Sequence, residues 1–118
     1  MTADGTPRAL LEAERQAALD RVVTLERDHA GIVDAVQSAN ADDEHDPEGA
    51  TIAYEREHIA ALLDQTRDQL SRVEAALGRL DQGTYGGCER CGQPIAAGRL
   101  AARPTATMCI ECASGANG

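Results

Sequence analysis

Apolar residues recur at heptad spacing in two stretches of matched length. In the first, Leu11, Ala18, Leu25 and Ile32 occupy one position of the repeat and Val22 and Val36 the other, with Arg15 and His29 interrupting the second series. Six of these eight seam positions are apolar, which predicts a helix with a narrow apolar stripe from about residue 8 to 38. Thr6 is suited to cap it and Pro7 to its first position, where a missing N–H costs nothing. Gly31 falls off the seam, where it is tolerated at about 1 kcal/mol relative to Ala. Residues 1–7 are read as a flexible N-terminus.

From Ser38 to Gly49 the pattern breaks, and Asp42 to Glu48 holds five acids and no base. Asp46-Pro47 is a restart signal, with Asp46 as cap and Pro47 at the first helical position. A second seam follows: Ile52, Ile59, Thr66, Val73 and Leu80 in one series, Arg56, Leu63, Leu70 and Leu77 in the other. Seven of the nine are apolar, and the helix is expected to end near Asp81, with Gly83 just beyond. Folding the chain about residue 44 sets Val36 opposite Ile52, Ile32 opposite Arg56, Leu25 opposite Leu63, Val22 opposite Thr66 and Leu11 opposite Leu77. Each layer then mixes the two seam positions, as antiparallel helices require. The prediction is an antiparallel coiled-coil hairpin over residues 8–82 with its tip at 39–50. Its paired part, about 26 residues, would be ~39 Å long.

The second helix feeds a glycine-rich connector, Gly83-Thr84-Tyr85-Gly86-Gly87, that leads into Cys88. Cys88 and Cys91, then seventeen residues, then Cys109 and Cys112, are the only cysteines, in two C-x2-C pairs. Two cysteines three apart on a tight turn present both sulfurs to one side of a metal, and a second such knuckle closes a tetrahedron. This spacing points to one structural Zn2+. Gly92 fits the left-handed backbone such a turn often needs. Two disulfides would need an oxidising compartment, but the N-terminus carries Asp4, Glu12 and Glu14 and no apolar secretory segment. A thioredoxin-like site would need a βαβ pattern, which is missing. Redox switching of the same thiolates is a lesser addition. Between the knuckles, Pro94, Gly98 and Pro104 leave room for at most a small hairpin, and any helix begun at the second knuckle is very short. The fold class is mainly α: an antiparallel coiled-coil hairpin, then a small four-cysteine zinc-ribbon-like module (a zinc finger) at 83–113 and a flexible tail at 114–118.

Composition agrees with a thin structure. Of 118 residues 42% are hydrophobic, yet there is no Phe or Trp and only Tyr54 and Tyr85, whereas thick cores use aromatics. Small modules of this kind depend on a metal staple. The net charge is −9 and every base is Arg, so the surface as a whole repels nucleic acid and favours a basic protein surface or cation-lined channel. No apolar run approaches the ~20 residues of a membrane span, and a cytoplasmic location is expected. No nucleophile–base constellation or phosphate loop is present, and four sulfurs close the metal, so no enzyme is expected. His29 is expected to be partly buried, and His45 and His58 to lie at the surface.

The C-terminal stretch resembles the DksA/TraR family of zinc-finger proteins. The resemblance rests on Asp81-x-Gly83-x-Tyr85-Gly86-x-Cys88-x-x-Cys91-Gly92-x-Pro94-Ile95, then Arg99-Leu100, Pro104-Thr105-Ala106 and Cys109-Ile110-x-Cys112. The hairpin over residues 8–82 matches by pattern more than by identity. The resemblance implies a regulator that binds bacterial RNA polymerase directly rather than promoter DNA. Its coiled coil would enter the secondary channel, where tip aspartates alter open-complex stability, often together with ppGpp at the polymerase interface. The family's tip motif is Asp-x-x-Asp-x-Ala; Asp43 and Asp46 take the aspartate positions, and Glu48 stands at the alanine position. Tyr54 falls eight residues past Asp46, where the family can have an aromatic. Other readings stay open: a solvated, capped turn; Mg2+ held by Asp43, Asp46 and Glu48 at a polymerase active site; or a zinc-ribbon and coiled-coil adaptor for another protein partner. Arg90, Arg99 and Arg103 are either ordinary surface charge or a docking patch for an acidic polymerase rim or nucleic-acid phosphate.

Overall fold

The computed structural model describes residues 6–42 and 47–115, and the side-chain surroundings of these apart from residues 33, 35–42 and 47–50. Its elements are α1 (Pro7–Asp42), α2 (Pro47–Gln82), α3 (Ala97–Ala102) and α4 (Ile110–Ala113). Among the described residues there is no strand, only one antiparallel bridge between Gly87 and Pro94.

The helix ends follow from local chemistry. Thr6 Oγ1 accepts the Ala9 N–H at 3.1 Å, and the Thr6 carbonyl accepts the Leu10 N–H at 3.0 Å, so α1 starts at Pro7 with the expected cap. At the far end of α2 the chain leaves through Gly83, whose φ of +79° favours glycine. The Gly83 N–H reaches the Leu80 carbonyl (3.2 Å) and the Thr84 N–H the Arg79 carbonyl (2.9 Å), a Schellman closure that satisfies two end carbonyls. Helix α1 runs on to Asp42, past the expected end at residue 38, because Ser38 to Asp42 contains neither glycine nor proline. Loss of the apolar seam removes packing but not helical hydrogen bonding. Helix therefore covers part of the stretch expected as tip at 39–50: α1 reaches Asp42 and α2 begins at Pro47. Asp43, His45 and the cap expected at Asp46 lie outside the described residues.

The chain divides into two compact units. One joins residues up to Gln16 to those from Leu70 onward; the other is Ala17–Gln69. In the first, Leu11, Val73 and Ala76 are fully buried, with Leu77, Leu80 and Tyr85 packed around them. Ion pairs Arg8–Asp81 (2.8 Å) and Arg15–Glu74 (3.3 Å) cross the same helix pair. Partner numbers fall in α2 as they rise in α1, so the two run antiparallel, close to the pairing expected of Leu11 with Leu77. Arg15, which interrupts the seam, is exposed and engages Glu74 rather than entering the core.

In the second unit Ala18, Leu25, Leu63 and Thr66 are buried, and Val22, Ile32, Ile52 and Ile59 are half-buried. Thr66 is tolerated in the seam because its hydroxyl donates to the Leu62 carbonyl (2.8 Å) and accepts from Arg21 Nε (3.3 Å). Arg67 pairs with Glu26 at 2.6 Å. His29 is half-buried and His58 exposed, as expected.

Between the knuckles the expectation of at most a small hairpin is overturned by the helix α3. Its sequence, Ala-Gly-Arg-Leu-Ala-Ala, is built from strong helix formers, and Gly98 sits in the first turn where its cost is small. The four-residue α4 is as short as expected. Among the described residues no helix is long and apolar enough to cross a membrane.

Leu11→Ala should cost about 2–5 kcal/mol, because it opens a cavity in a fully buried site. Arg15→Ala should cost less than about 1 kcal/mol, because both partners of its ion pair are half in solvent. Urea denaturation followed by far-ultraviolet dichroism compares them, and equal losses would contradict this division between seam and surface.

Candidate metal centre

The first knuckle is made by backbone geometry. The Gly92 N–H returns to the Cys88 carbonyl at 2.9 Å, and the Cys88 N–H bonds the Gln93 carbonyl at 2.8 Å. Gly92 has φ +79°, the left-handed turn expected of it. The Ile95 N–H then reaches the Gly86 carbonyl at 2.7 Å, folding the segment back on itself. The second knuckle enters α4, where the Ala113 N–H bonds the Cys109 carbonyl at 2.9 Å. One backbone bond ties the two together, from the Glu89 N–H to the Thr107 carbonyl at 2.8 Å. Thr107 Oγ1 and Glu89 add a side-chain contact at 3.3 Å.

These turns bring all four sulfurs within 4.8 Å of one another, with Cys91 and Cys109 Sγ 3.9 Å apart. A tetrahedron with Zn–S bonds of about 2.3 Å has sulfur–sulfur edges of ~3.8 Å, so the donor set fits that ion in kind and in size. None of the four is in a disulfide. Cys88 and Cys112 are buried against Ile95, with Leu100 and Met108 beside them, while Cys91 is exposed. The apolar backing shields one side of the cluster and leaves the Cys91 side reachable from solvent.

The electrostatics point the same way. The backbone N–H groups of Cys91, and then of Cys109, aim at the Cys88 sulfur and pull its thiol down to about 6. Burial, and then the crowding of the other sulfurs, pushes Cys112 up to about 12. Four thiols this close do not all ionise without a cation among them. Loading a divalent soft-ligand metal must therefore expel protons.

A second feature lies in the same unit. Arg72, Arg99 and Arg103 line a cleft of about 260 Å3, with Thr105 and Thr107 on its wall. Arg99 Nε is held on the Met108 carbonyl at 2.9 Å, next to the second knuckle. Two of the three ribbon arginines singled out in the sequence, Arg99 and Arg103, thus meet, and the exposed Arg90 is not among the lining residues. Arg72 was missed. It sits off the seam in α2, and no spacing along the chain links it to the knuckles. Of the tip residues, Asp43 and Asp46 lie outside the described residues; Glu48 lies in α2 with its side chain outside them.

Residues 83–117 match the family described as the prokaryotic dksA/traR C4-type zinc finger. The chain is 50% identical over 48 residues to the RNA polymerase-binding transcription factor DksA of Caulobacter vibrioides, covering 41% of this chain and 34% of that protein. It is 34% identical over 110 residues to the factor of the same name from Escherichia coli, covering 89% of this chain and 65% of that one. It thus spans less than two thirds of the length of these curated relatives. The solved structure of transcription factor DksA2 from Pseudomonas aeruginosa overlays with a TM-score of 0.57 at 28% identity, covering 92% of this chain and 84% of the other. The class is therefore a long helical hairpin that carries a C4 zinc finger and one structural zinc. Within that class the finger at residues 83–117 is of the dksA/traR C4 type, and the chain as a whole is similar to DksA factors, as its motif implied.

Replacing Cys112 by Ser should abolish stoichiometric zinc in the purified protein, measured by elemental analysis, because three sulfurs leave the shell open. Zinc loading of the wild type should tighten as pH rises, since Cys112 is protonated at neutral pH and must lose its proton. Zinc affinity independent of pH across the neutral range would contradict a thiolate shell.

Proposed function

We propose that this chain is a transcription regulator that binds RNA polymerase directly and has no sequence-specific DNA binding of its own. One observation carries the reading: a four-sulfur centre joined to a long helical pair, alike over 110 residues to a factor whose name states that it binds RNA polymerase. Cys88, Cys91, Cys109 and Cys112 hold the zinc, which shapes the module at 83–113. The arm at 8–82 carries Asp43, Asp46 and Glu48 at its tip into the secondary channel. The net charge of −9 disfavours DNA as the main partner and suits a cation-lined channel. A closed sulfur shell offers no position for substrate, so the chain acts by binding rather than catalysis, in the cytoplasm where polymerase works.

The cleft of Arg72, Arg99 and Arg103 gives ppGpp a place in this reading. Guanidinium groups grip phosphate oxygens in fork geometry, and three of them around one concavity suit a nucleotide with clustered phosphates held between this chain and polymerase. One departure favours a second reading. Glu48 puts a carboxylate at the family's tip alanine position, which fits an arm that serves another protein partner as a zinc-ribbon adaptor.

Affinity capture with the zinc-loaded protein should recover RNA polymerase from bacterial lysate. Asp43→Asn/Asp46→Asn should still bind polymerase yet lose its effect on transcription in a purified assay. Failure of the wild type to recover polymerase sinks the regulator reading and leaves the adaptor.

A further inference from the structure

Tyr85 sits where two parts of one unit meet. Its ring packs against the cluster of Leu11, Val73 and Ala76 at the base of the helix pair. Its hydroxyl donates to the Pro104 carbonyl at 2.8 Å, nineteen positions along the chain. Pro104 is buried, and its neighbours on either side, Arg103 and Thr105, both line the arginine cleft. Arg103 lies just past α3: its N–H reaches back to the Arg99 carbonyl at 2.7 Å, and its own carbonyl accepts the Ala106 N–H at 3.0 Å. The segment between α3 and the second knuckle is thus a short turn of fixed shape, tethered by a side chain at one central carbonyl.

We propose that Tyr85 is a positioning residue for the arginine cleft: its hydroxyl, braced by the helix-pair core, fixes the Pro104 peptide and so sets where Arg103 and Thr105 face an anionic nucleotide. The inference rests on the reading of the cleft as a phosphate-binding surface. A guanidinium fork discriminates phosphate only if its backbone is held, because geometric pre-organisation is what makes charged bonds strong. The ring alone already fills its place in the core, so packing does not explain the hydroxyl. Burial raises the phenol above its usual range, with Arg79 opposing and Glu14 adding to that rise, so the group stays a protonated donor across neutral pH.

Tyr85→Phe separates the two roles, since it keeps the ring and removes only the donor. The zinc-loaded full chain, bound to RNA polymerase, is titrated with fluorescently labelled ppGpp, beside Tyr85→Phe and Arg103→Ala. Zinc content, melting temperature and polymerase affinity are measured for each. Arg103→Ala is expected to weaken nucleotide binding roughly tenfold or more, and Tyr85→Phe about three- to tenfold, with zinc content and melting temperature unchanged in both and polymerase affinity unchanged in Tyr85→Phe. If Tyr85→Phe binds the nucleotide like the wild type while Arg103→Ala does not, the role of Tyr85 is overturned and the cleft stands. If Tyr85→Phe loses zinc or melts lower in step with its loss of affinity, the hydroxyl is merely structural and the inference also falls. If Arg103→Ala binds like the wild type, or the wild type gives polymerase no added nucleotide affinity, the cleft reading fails and takes the inference with it.

Discussion

Everything at the C-terminal end of this chain depends on bringing four sulfurs into a volume that only a cation makes tolerable. The knuckles are short turns, and the apolar support beneath them is Ile95, Leu100 and Met108. Such a core buries far too little surface to offset the entropy of ordering some thirty residues. Metal coordination supplies the difference, on the order of 10 kcal/mol in comparable fingers. The amide bonds around the site, such as Glu89 to Thr107 and Ile95 to Gly86, then lock the surrounding backbone to the same centre. Position of the arginines is a downstream effect, since Arg99 hangs on the Met108 carbonyl beside the second knuckle.

The helical part is held by a different balance. Its core is thin: among the described residues Leu11, Val73 and Ala76 are wholly excluded from solvent in one unit, and Ala18, Leu25 and Leu63 nearly so in the other. Exposed arginine–carboxylate pairs contribute little to stability, and they work better as selectors of antiparallel register. Thr66 adds a polar contact of the same kind from inside: its hydroxyl bonds Leu62 of its own helix in any alignment, but accepts from Arg21 across the pair only in this one. A chain without Phe or Trp thus reaches a defined pairing by matching polar partners along a narrow apolar line.

Much of this was legible from residues alone, for identifiable reasons. The cysteine spacing names its geometry, and Thr6-Pro7 and Gly83 mark helix ends by backbone chemistry that tertiary context rarely overrides. The heptad seam gave the pairing of Leu11 with Leu77 because each buried layer constrains the next. Other features were hidden. Helix α3 was obscured by Gly98, whose helix-breaking character matters less in a first turn among alanines. The run of α1 to Asp42 carries no apolar signal, since an exposed helix needs none. Arg72 could not be linked to Arg99 and Arg103, because only the folded chain carries α2 past the zinc module. The tip aspartates Asp43 and Asp46 were assigned by resemblance and lie outside the described residues.

The most direct test of the central claim, that the sulfur-bound ion organises the module, is amide hydrogen exchange on the zinc-loaded and chelator-stripped protein. The amides of Cys88, Glu89, Gly92 and Ile95, each bonded to a backbone carbonyl, are predicted to be protected with zinc and to exchange freely without it. Equal protection in both states would contradict the account, because the turns would then be holding themselves.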